Sequence, residues 1–154
     1  MTRRRSIIII TVIAGMALLG FLQVEAARNL TVVLYDSKII ERNDVTTTYD
    51  VTLRFQNPSI LVLTTGDTKY GITINGERIG EGKITTFTLG PLESKTVNSE
   101  FTADTKLVEK YKHSVEQNNS KLNGASTYRL YLFSVEVPFE HEPKPEQIKQ
   151  FFNQ

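Results

Sequence analysis

The sequence contains no cysteine and no tryptophan, and it has only two histidines. Without cysteine, the chain cannot form disulfides, thiolate zinc sites, iron–sulfur clusters or a lipid-modified cysteine. The missing cysteine and tryptophan together exclude the Cys…Trp…Cys framework of antibody domains. A chain of 154 residues is still long enough to bury one hydrophobic core without covalent staples, so we expect one folded domain.

A strong excess of charge of either sign is also missing. Residues 1–28 hold four of the 18 basic residues and one of the 17 acidic residues, which leaves 14 basic against 16 acidic residues from Asn29 onward. This part of the chain therefore has a mixed surface without a basic stripe. We do not expect nucleic acid as a partner.

The longest apolar run lies near the N-terminus. Residues 1–6 are basic, with Arg3, Arg4 and Arg5, and residues 7–22 are apolar except for one threonine and two glycines. As a helix, the apolar run spans roughly 24 Å, a little less than a hydrocarbon core of about 30 Å. Basic residues stay on the cytoplasmic side, so the pattern predicts a single-pass membrane anchor with the rest of the chain outside the cytoplasm.

A secretory signal peptide has a similar layout, with a shorter apolar region and small residues at the cleavage site. Val24-Glu25-Ala26 provides small residues at a suitable distance. Cleavage near Ala26, followed by secretion of the remaining chain, is therefore the alternative to an uncleaved anchor.

The following segment has the pattern of β-strands. Residues 30–40 are rich in β-branched and aromatic side chains, and residues 49–56 alternate between apolar and polar side chains, which is typical of a strand with one wet face. Asn57-Pro58 ends this second strand, because proline cannot donate to a strand ladder. Further strands are expected around residues 60–64, 87–89 and 95–101.

The pair Asn75-Gly76 lies at the centre of the clearest hairpin pattern. Both central positions of a type I′ turn need a positive φ, which asparagine and glycine tolerate. Tyr70, Ile72 and Ile74 alternate with smaller residues before the turn. Gly80 and Gly82 follow it and indicate a bulge or a close backbone approach.

The pattern then becomes helical between residues 104 and 116, with Asp104 as the N-cap. Residues 116–123 are expected to form a polar connection, and residues 128–137 the last strand. Proline residues close the sheet, and residues 145–152 favour a short helix whose Phe151-Phe152 pair docks on the domain. Six or seven strands with one main helix predict an all-β fold, an antiparallel β-sandwich of immunoglobulin or fibronectin-III kind covering residues 29–140, followed by a tail, residues 141–154.

The central stretch resembles the type 2 late-embryogenesis-abundant family, also called the water-stress-and-hypersensitive-response domain. Three features carry the resemblance, and they occur in a fixed order: a strand that runs into Asn57-Pro58, the hairpin around Asn75-Gly76, and a turn that starts at Gly90-Pro91 before a strand beginning with Thr96-Val97. The resemblance implies a β-sandwich with one helix, no enzymatic activity, and a role in tolerance of dehydration or other stress. It also agrees with an N-terminal membrane anchor, and it provides no catalytic or ligand residues.

Residues with chemical potential are few. His141 lies between Glu140 and Glu142, but adjacent residues of a strand point to opposite faces, so a charged surface cluster is expected rather than a metal site. His113 lies on the predicted helix and is also expected at the surface. Gly80-Glu81-Gly82 lacks the further glycine and the helix of a phosphate-binding loop. We therefore predict no catalytic residue, no cofactor, no metal and no small-molecule substrate.

Two sequons are present, Asn29-Leu30-Thr31 and Asn118-Asn119-Ser120. If the domain is exported through a glycosylating pathway, Asn29 and Asn118 are candidate acceptors, with Asn118 better separated from the membrane.

Two functional hypotheses follow from the sequence. The first is a non-enzymatic, membrane-anchored domain outside the cytoplasm that protects against desiccation or other stress. The second is an envelope adhesion or surface-layer-binding module that recognises an envelope protein through the edges of its sandwich.

Overall fold

A computed structural model describes residues 2–113, 119–129 and 133–152, with side chains from residue 11 onward except that of residue 150. The chain forms three helices and eight strands within these ranges. In order they are α1 (Thr2–Arg28), β1 (Thr31–Arg42), β2 (Thr46–Gln56), β3 (Leu63–Ile74), β4 (Glu77–Ile84), β5 (Phe87–Leu89), β6 (Ser94–Asp104), α2 (Thr105–Tyr111), β7 (Ser120–Arg129), β8 (Ser134–His141) and α3 (Pro145–Phe152).

The eight strands form an antiparallel sandwich, which confirms the predicted fold class. Hydrogen bonds link them in the order β1-β2-β6-β4-β3-β7-β8, with β5 paired to β3. Strands β2 and β6 pair along eleven residues, whereas β4 meets β6 only from Gly80 to Gly82. This short junction joins two sheets that pack against each other, and the ring of Phe55 in β2 lies 4.7 Å from that of Phe87 in β5.

The glycines of this junction are required because the neighbouring strands β3 and β6 approach β4 closely. A Cβ atom at Gly82 would lie 2.6 Å from the hydroxyl oxygen of Tyr70, and one at Gly80 would lie 2.8 Å from the Cα atom of Ala103. The close backbone approach predicted from Gly80 and Gly82 is therefore confirmed.

The hairpin between β3 and β4 turns at the predicted residues. Asn75 has a φ of 52° and Gly76 a φ of 82°, as a type I′ turn requires. Asn75 also holds the start of β7, because its backbone N–H donates to the carbonyl of Asn119 and its Oδ1 accepts from the N–H of Asn119. The turn thus joins three strands.

The last part of the sheet differs from the prediction. Instead of one strand over residues 128–137, the chain forms β7 and β8, which pair as Tyr128 with Val135 and Arg129 with Ser134. The region expected to be a polar connection also contributes to β7, which starts at Ser120. The buried Ser126 is tolerated inside this strand because its hydroxyl bonds with that of Thr68 in β3 at 2.6 Å. For this reason β7 lacks the apolar alternation that identifies β2.

The two short helices follow the predicted starts. Asp104 caps α2 by accepting from the N–H groups of Lys106 and Leu107, but α2 ends at Tyr111, before the expected end at residue 116. Helix α3 has the bounds that the sequence predicts. Its Phe151 and Phe152 are buried in the sandwich, where the ring of Phe151 stacks on that of Tyr49 at 4.2 Å.

Helix α1 continues beyond the apolar run without a break and ends at Arg28. Its last turns pack on the sandwich, where Gln23, Ala26 and Ala27 are buried. The segment Thr11–Arg28 is long and apolar enough to cross a membrane, and it is the one such span among the described residues.

Candidate functional site

Three loops gather at the end of the sandwich that α1 enters, which we call the α1 end: residues 57–62, residues 90–93, and Phe133 before β8. Strand pairing brings them together. Thr31, just after α1, is opposite Gln56, while Leu63 is opposite Leu89, and Thr64 is opposite Arg129. The ends of five strands therefore surround the last turns of the helix.

Asn57 connects two of these loops from inside the protein. Its side-chain amide donates to the carbonyl of Leu61 at 2.7 Å and to that of Gly90 at 2.8 Å, while its Oδ1 accepts from the N–H and the hydroxyl of Ser59. The side chain is fully buried, so each of these bonds satisfies a group that water cannot reach. The Asn-Pro pair, which the sequence indicated only as a strand end, is thus the centre of a hydrogen-bonded loop clamp.

The second loop contains a leucine in an unfavourable backbone conformation. Leu92 has a φ of 55°, and the N–H of Glu93 donates to the carbonyl of Gly90, so Leu92 occupies the turn position that favours glycine or asparagine. Its side chain is exposed. A leucine that is both exposed and backbone-strained is not explained by packing, and strain of this kind concentrates at functional positions.

The α1 end also carries large apolar side chains that face solvent. The exposed fraction is 78% for Ile60, 52% for Val62, 68% for Leu92 and 52% for Phe133. Acidic groups nearby have partners, since Glu25 pairs with Arg28 and the carboxylate of Glu93 accepts from the N–H of Gly90. The loop tips of the α1 end are therefore apolar.

The opposite end of the sandwich has a different character. Arg42 forms an ion pair with Glu109, and the carboxylate of Glu77 accepts from Lys110 at 2.7 Å and from the hydroxyl of Tyr111 at 2.6 Å. These two hydrogen bonds, from Lys110 first, lower the pKa of Glu77. Ile40 and Val45 are exposed near this end among these charged groups.

Two loops of the α1 end lie on either side of the helix. A Cβ atom at Gly20 would lie 3.7 Å from the ring of Phe133, which places Phe133 beside the apolar run. On the other side, a groove of about 650 Å³ is lined by Leu22 and Ala26 of α1 together with Ile60 and Leu61. Sequence reasoning did not find this arrangement, because the residues come from three distant segments.

The predicted charged cluster around His141 lies on the sheet surface. Glu140 and Glu142 share a face, and the ammonium group of Lys121 lies 2.7 Å from one carboxylate and 3.8 Å from the other. The Nε2 atom of His141 is buried and has no hydrogen-bond partner among the residues that the structure describes, and burial lowers the pKa of this histidine. Within the described residues, no group of three or more potential metal ligands comes together.

Other residues whose pKa is shifted lie apart from one another in the structure. Burial raises the pKa of Tyr49 to about 12, and burial also raises that of Tyr70 to about 12 against the opposing hydrogen bond to Ser99. The Glu140 carboxylate raises the pKa of Lys121. These tyrosines belong to the core and this lysine to the surface, so the groups do not converge on a common cleft.

The two candidate glycosylation sites and His113 lie in different parts of the chain. Asn29 is exposed, but its side-chain nitrogen donates to the carbonyl of Glu25 at 2.9 Å and caps the end of α1. Asn118 lies outside the described residues. His113 is exposed after α2, as the sequence predicted.

Comparisons with known proteins show the fold. No family model matches the chain, and no curated protein matches it in sequence. The solved structure of the Arabidopsis thaliana protein AT1g01470 is similar with a TM-score of 0.52 and 16% identity, covering 73% of this chain and 80% of that one. This similarity shows that the two chains share a fold.

Two weaker similarities accompany this one. A protein from Archaeoglobus fulgidus aligns with a TM-score of 0.48 and 13% identity over 73% of this chain and 91% of its own. At2g46140.1, described as a candidate late embryogenesis abundant (LEA) protein, aligns with a TM-score of 0.41 and 14% identity over 92% of this chain and 88% of its own.

Proposed function

We propose that the protein is a non-enzymatic β-sandwich held outside the cytoplasm by an uncleaved N-terminal helix, and that it protects the cell during drying or other water stress. The observation that carries the anchor is the burial of Ala26 and Ala27 in the core of the sandwich. Cleavage near Ala26 would separate these residues from the helix that positions them. The continuous α1 therefore supports retention rather than secretion.

The stress-protective role is supported by the resemblance around Asn57-Pro58, Asn75-Gly76 and Gly90-Pro91. Two of these motifs, Asn57-Pro58 and Gly90-Pro91, meet in the loop clamp of the α1 end, and Asn75-Gly76 forms the central hairpin. Two of the three motifs are thus hydrogen-bonded to each other in the fold, and the third forms the turn between β3 and β4.

The topology is tested with single cysteines, because the native chain has none. Val45→Cys, at the exposed turn before β2, is expected to react in intact cells with a maleimide that cannot cross membranes. The cysteine-free parent provides the background. Labelling of Val45→Cys only after the cells are lysed would place the domain in the cytoplasm and overturn the proposed orientation.

The protective role is tested by deletion. Cells without the protein are expected to survive drying or osmotic shock less well, and the full-length chain should restore survival. Restoration by a chain with Leu18→Lys and Leu19→Lys, which no longer inserts, would show protection without anchoring. Unchanged survival of the deletion strain under both stresses would contradict the role.

The envelope-binding alternative requires an accessible sheet edge. The first and last strands of the order β1-β2-β6-β4-β3-β7-β8 are modified in ways that discourage strand addition: β1 carries two register shifts and its Leu34 carbonyl accepts from Gln147, while β8 contains Pro138. We therefore favour the protective role. Recovery of one envelope protein by crosslinking from β8 positions would support the alternative instead.

A further inference from the structure

We propose that the apolar tips of the α1 end, Ile60, Val62, Leu92 and Phe133, insert into the surface of the bilayer that α1 crosses. The domain would then rest on the membrane instead of standing away from it on a stalk. This inference rests on the anchor proposed above and adds a second contact, made by the folded domain itself.

The depth of Phe133 follows from its position along α1. Its ring lies beside Gly20, which is inside the apolar run, about 3 Å along the helix axis before Leu22 at the end of that run. If the apolar run lies in the hydrocarbon core, Phe133 must lie at the boundary of that core. Ala26 and Ala27 are buried in the sandwich, so the domain packs directly on the helix just beyond the apolar run.

The length of the apolar run also favours a contact between the loop tips and the bilayer. Residues 7–22 span roughly 24 Å, which is less than a hydrocarbon core of about 30 Å. A short span is accommodated by local thinning of the bilayer and by drawing flanking groups toward the interface. The flanking groups here are apolar loop tips on two sides of the helix, Phe133 on one side and Ile60 on the other.

The conformation of Leu92 is explained by the same contact. A glycine would fit its φ of 55° without strain, yet the position holds a large apolar side chain that faces solvent. The clamp of Asn57 ties this loop to residues 57–62, so hydrogen bonds link the loop of Leu92 to the loop of Ile60 and Val62. A preformed apolar surface of this kind suits the boundary between headgroups and acyl chains, where interfacial elements bury about 5–10 Å.

The experiment measures the depth of nitroxide labels on the full-length protein in lipid nanodiscs. Single cysteines replace Leu18 in α1, Leu92 and Phe133 at the α1 end, and Val45 at the opposite end as an equally exposed control. Accessibility to oxygen and to a water-soluble nickel complex gives the depth of each label. We expect labels at Leu92 and Phe133 to be oxygen-accessible and nickel-protected, as at Leu18, and the label at Val45 to show the reverse.

The outcomes separate the two proposals. Aqueous accessibility at Leu92 and Phe133 with a lipid-like label at Leu18 would overturn the second contact while leaving the anchor in place, and it would favour a protein partner for the apolar tips. Aqueous accessibility at Leu18 would overturn the anchor itself. An Ile60→Ser/Val62→Ser variant should shift the Leu92 label toward water if the tips insert together, and an unchanged Leu92 label would contradict joint insertion.

Discussion

At the scale of single residues, the motifs in the sequence do more than end strands and form turns. From a buried position, the side chain of Asn57 donates hydrogen bonds to two carbonyl groups, those of Leu61 and Gly90. Asn75 forms its turn and also bonds to the backbone at the start of β7. Sequence patterns identify such residues by the backbone they tolerate. They do not reveal the partners, because these lie up to 44 residues away along the chain.

Asn57→Ala tests the loop clamp. The change removes the amide donors to the carbonyl groups of Leu61 and Gly90 and the acceptor of Ser59, and each lost hydrogen bond of this kind costs about 0.5–1.5 kcal/mol. We expect the free energy of unfolding, measured by denaturant in mild detergent, to fall by about 2–4 kcal/mol. Asn98→Ala is the control, because Asn98 is exposed and bonds only to Thr52, so a similar loss in both variants would contradict the clamp.

Leu92→Gly tests the strain in the second loop. The left-handed conformation costs a residue with a Cβ atom about 1–2 kcal/mol, and the extra freedom of glycine in the unfolded chain offsets about half of this. We therefore expect unfolding to cost up to about 1 kcal/mol more in the variant. Leu92→Val should have the opposite effect, because a branched Cβ tolerates this region less well. Lower stability of Leu92→Gly than of Leu92→Val would contradict the assignment.

His141 provides a pH dependence with a definite sign. Burial lowers its pKa below the ordinary value of 6.5, so the unfolded chain binds the proton more readily than the folded protein. This contribution to stability is present above pH 6.5 and is lost as the pH falls through the lower pKa of the folded state. We expect His141→Gln to make the free energy of unfolding less dependent on pH in this window. An equally steep profile in both proteins would contradict the assignment.

At the scale of elements, a strand with regular apolar alternation such as β2 could be predicted, whereas β7, which lacks this alternation, could not. The alternation of Tyr49, Val51, Leu53 and Phe55 identifies β2 and its inner face, all of which is buried. Strand β7 lies between β3 and β8, and its inward positions include Ser120 and Ser126 beside Leu122 and Tyr128. Gly124 has no space for a Cβ atom because Phe139 and Tyr70 approach it. Tertiary contacts, and not periodicity, therefore define this strand.

Helix α3 was predictable in its bounds, but its importance follows from its contacts. The ring of Phe151 meets Tyr49, Phe101 and Phe152 and is completely buried. We expect Phe151→Ala to lower the free energy of unfolding by about 3–5 kcal/mol, as deletion of a buried aromatic ring does. Phe133→Ala removes the same ring from an exposed position and should change stability in detergent by less than about 1 kcal/mol. Comparable losses in denaturant unfolding would contradict a structural role for α3.

At the scale of the whole molecule, the helix and the sandwich form one unit. The sequence contains an apolar run with the composition of a membrane anchor. It does not show that α1 continues to Arg28 or that Ala26 and Ala27 enter the core. The apolar end of the sandwich also becomes visible only when three loops are brought together by strand pairing. This geometry connects the apolar run of the sequence to the apolar surface for which we propose a contact with the bilayer.

The most direct test of this account is the intact mass of the protein recovered from carbonate-washed membranes. We predict that the chain is found in the membrane fraction with a mass that includes all of α1, and the same spectrum reports any glycan at Asn29 or Asn118. A chain that begins after Ala26 or Ala27 and is recovered in the soluble fraction would contradict the retained anchor, and with it the central claim.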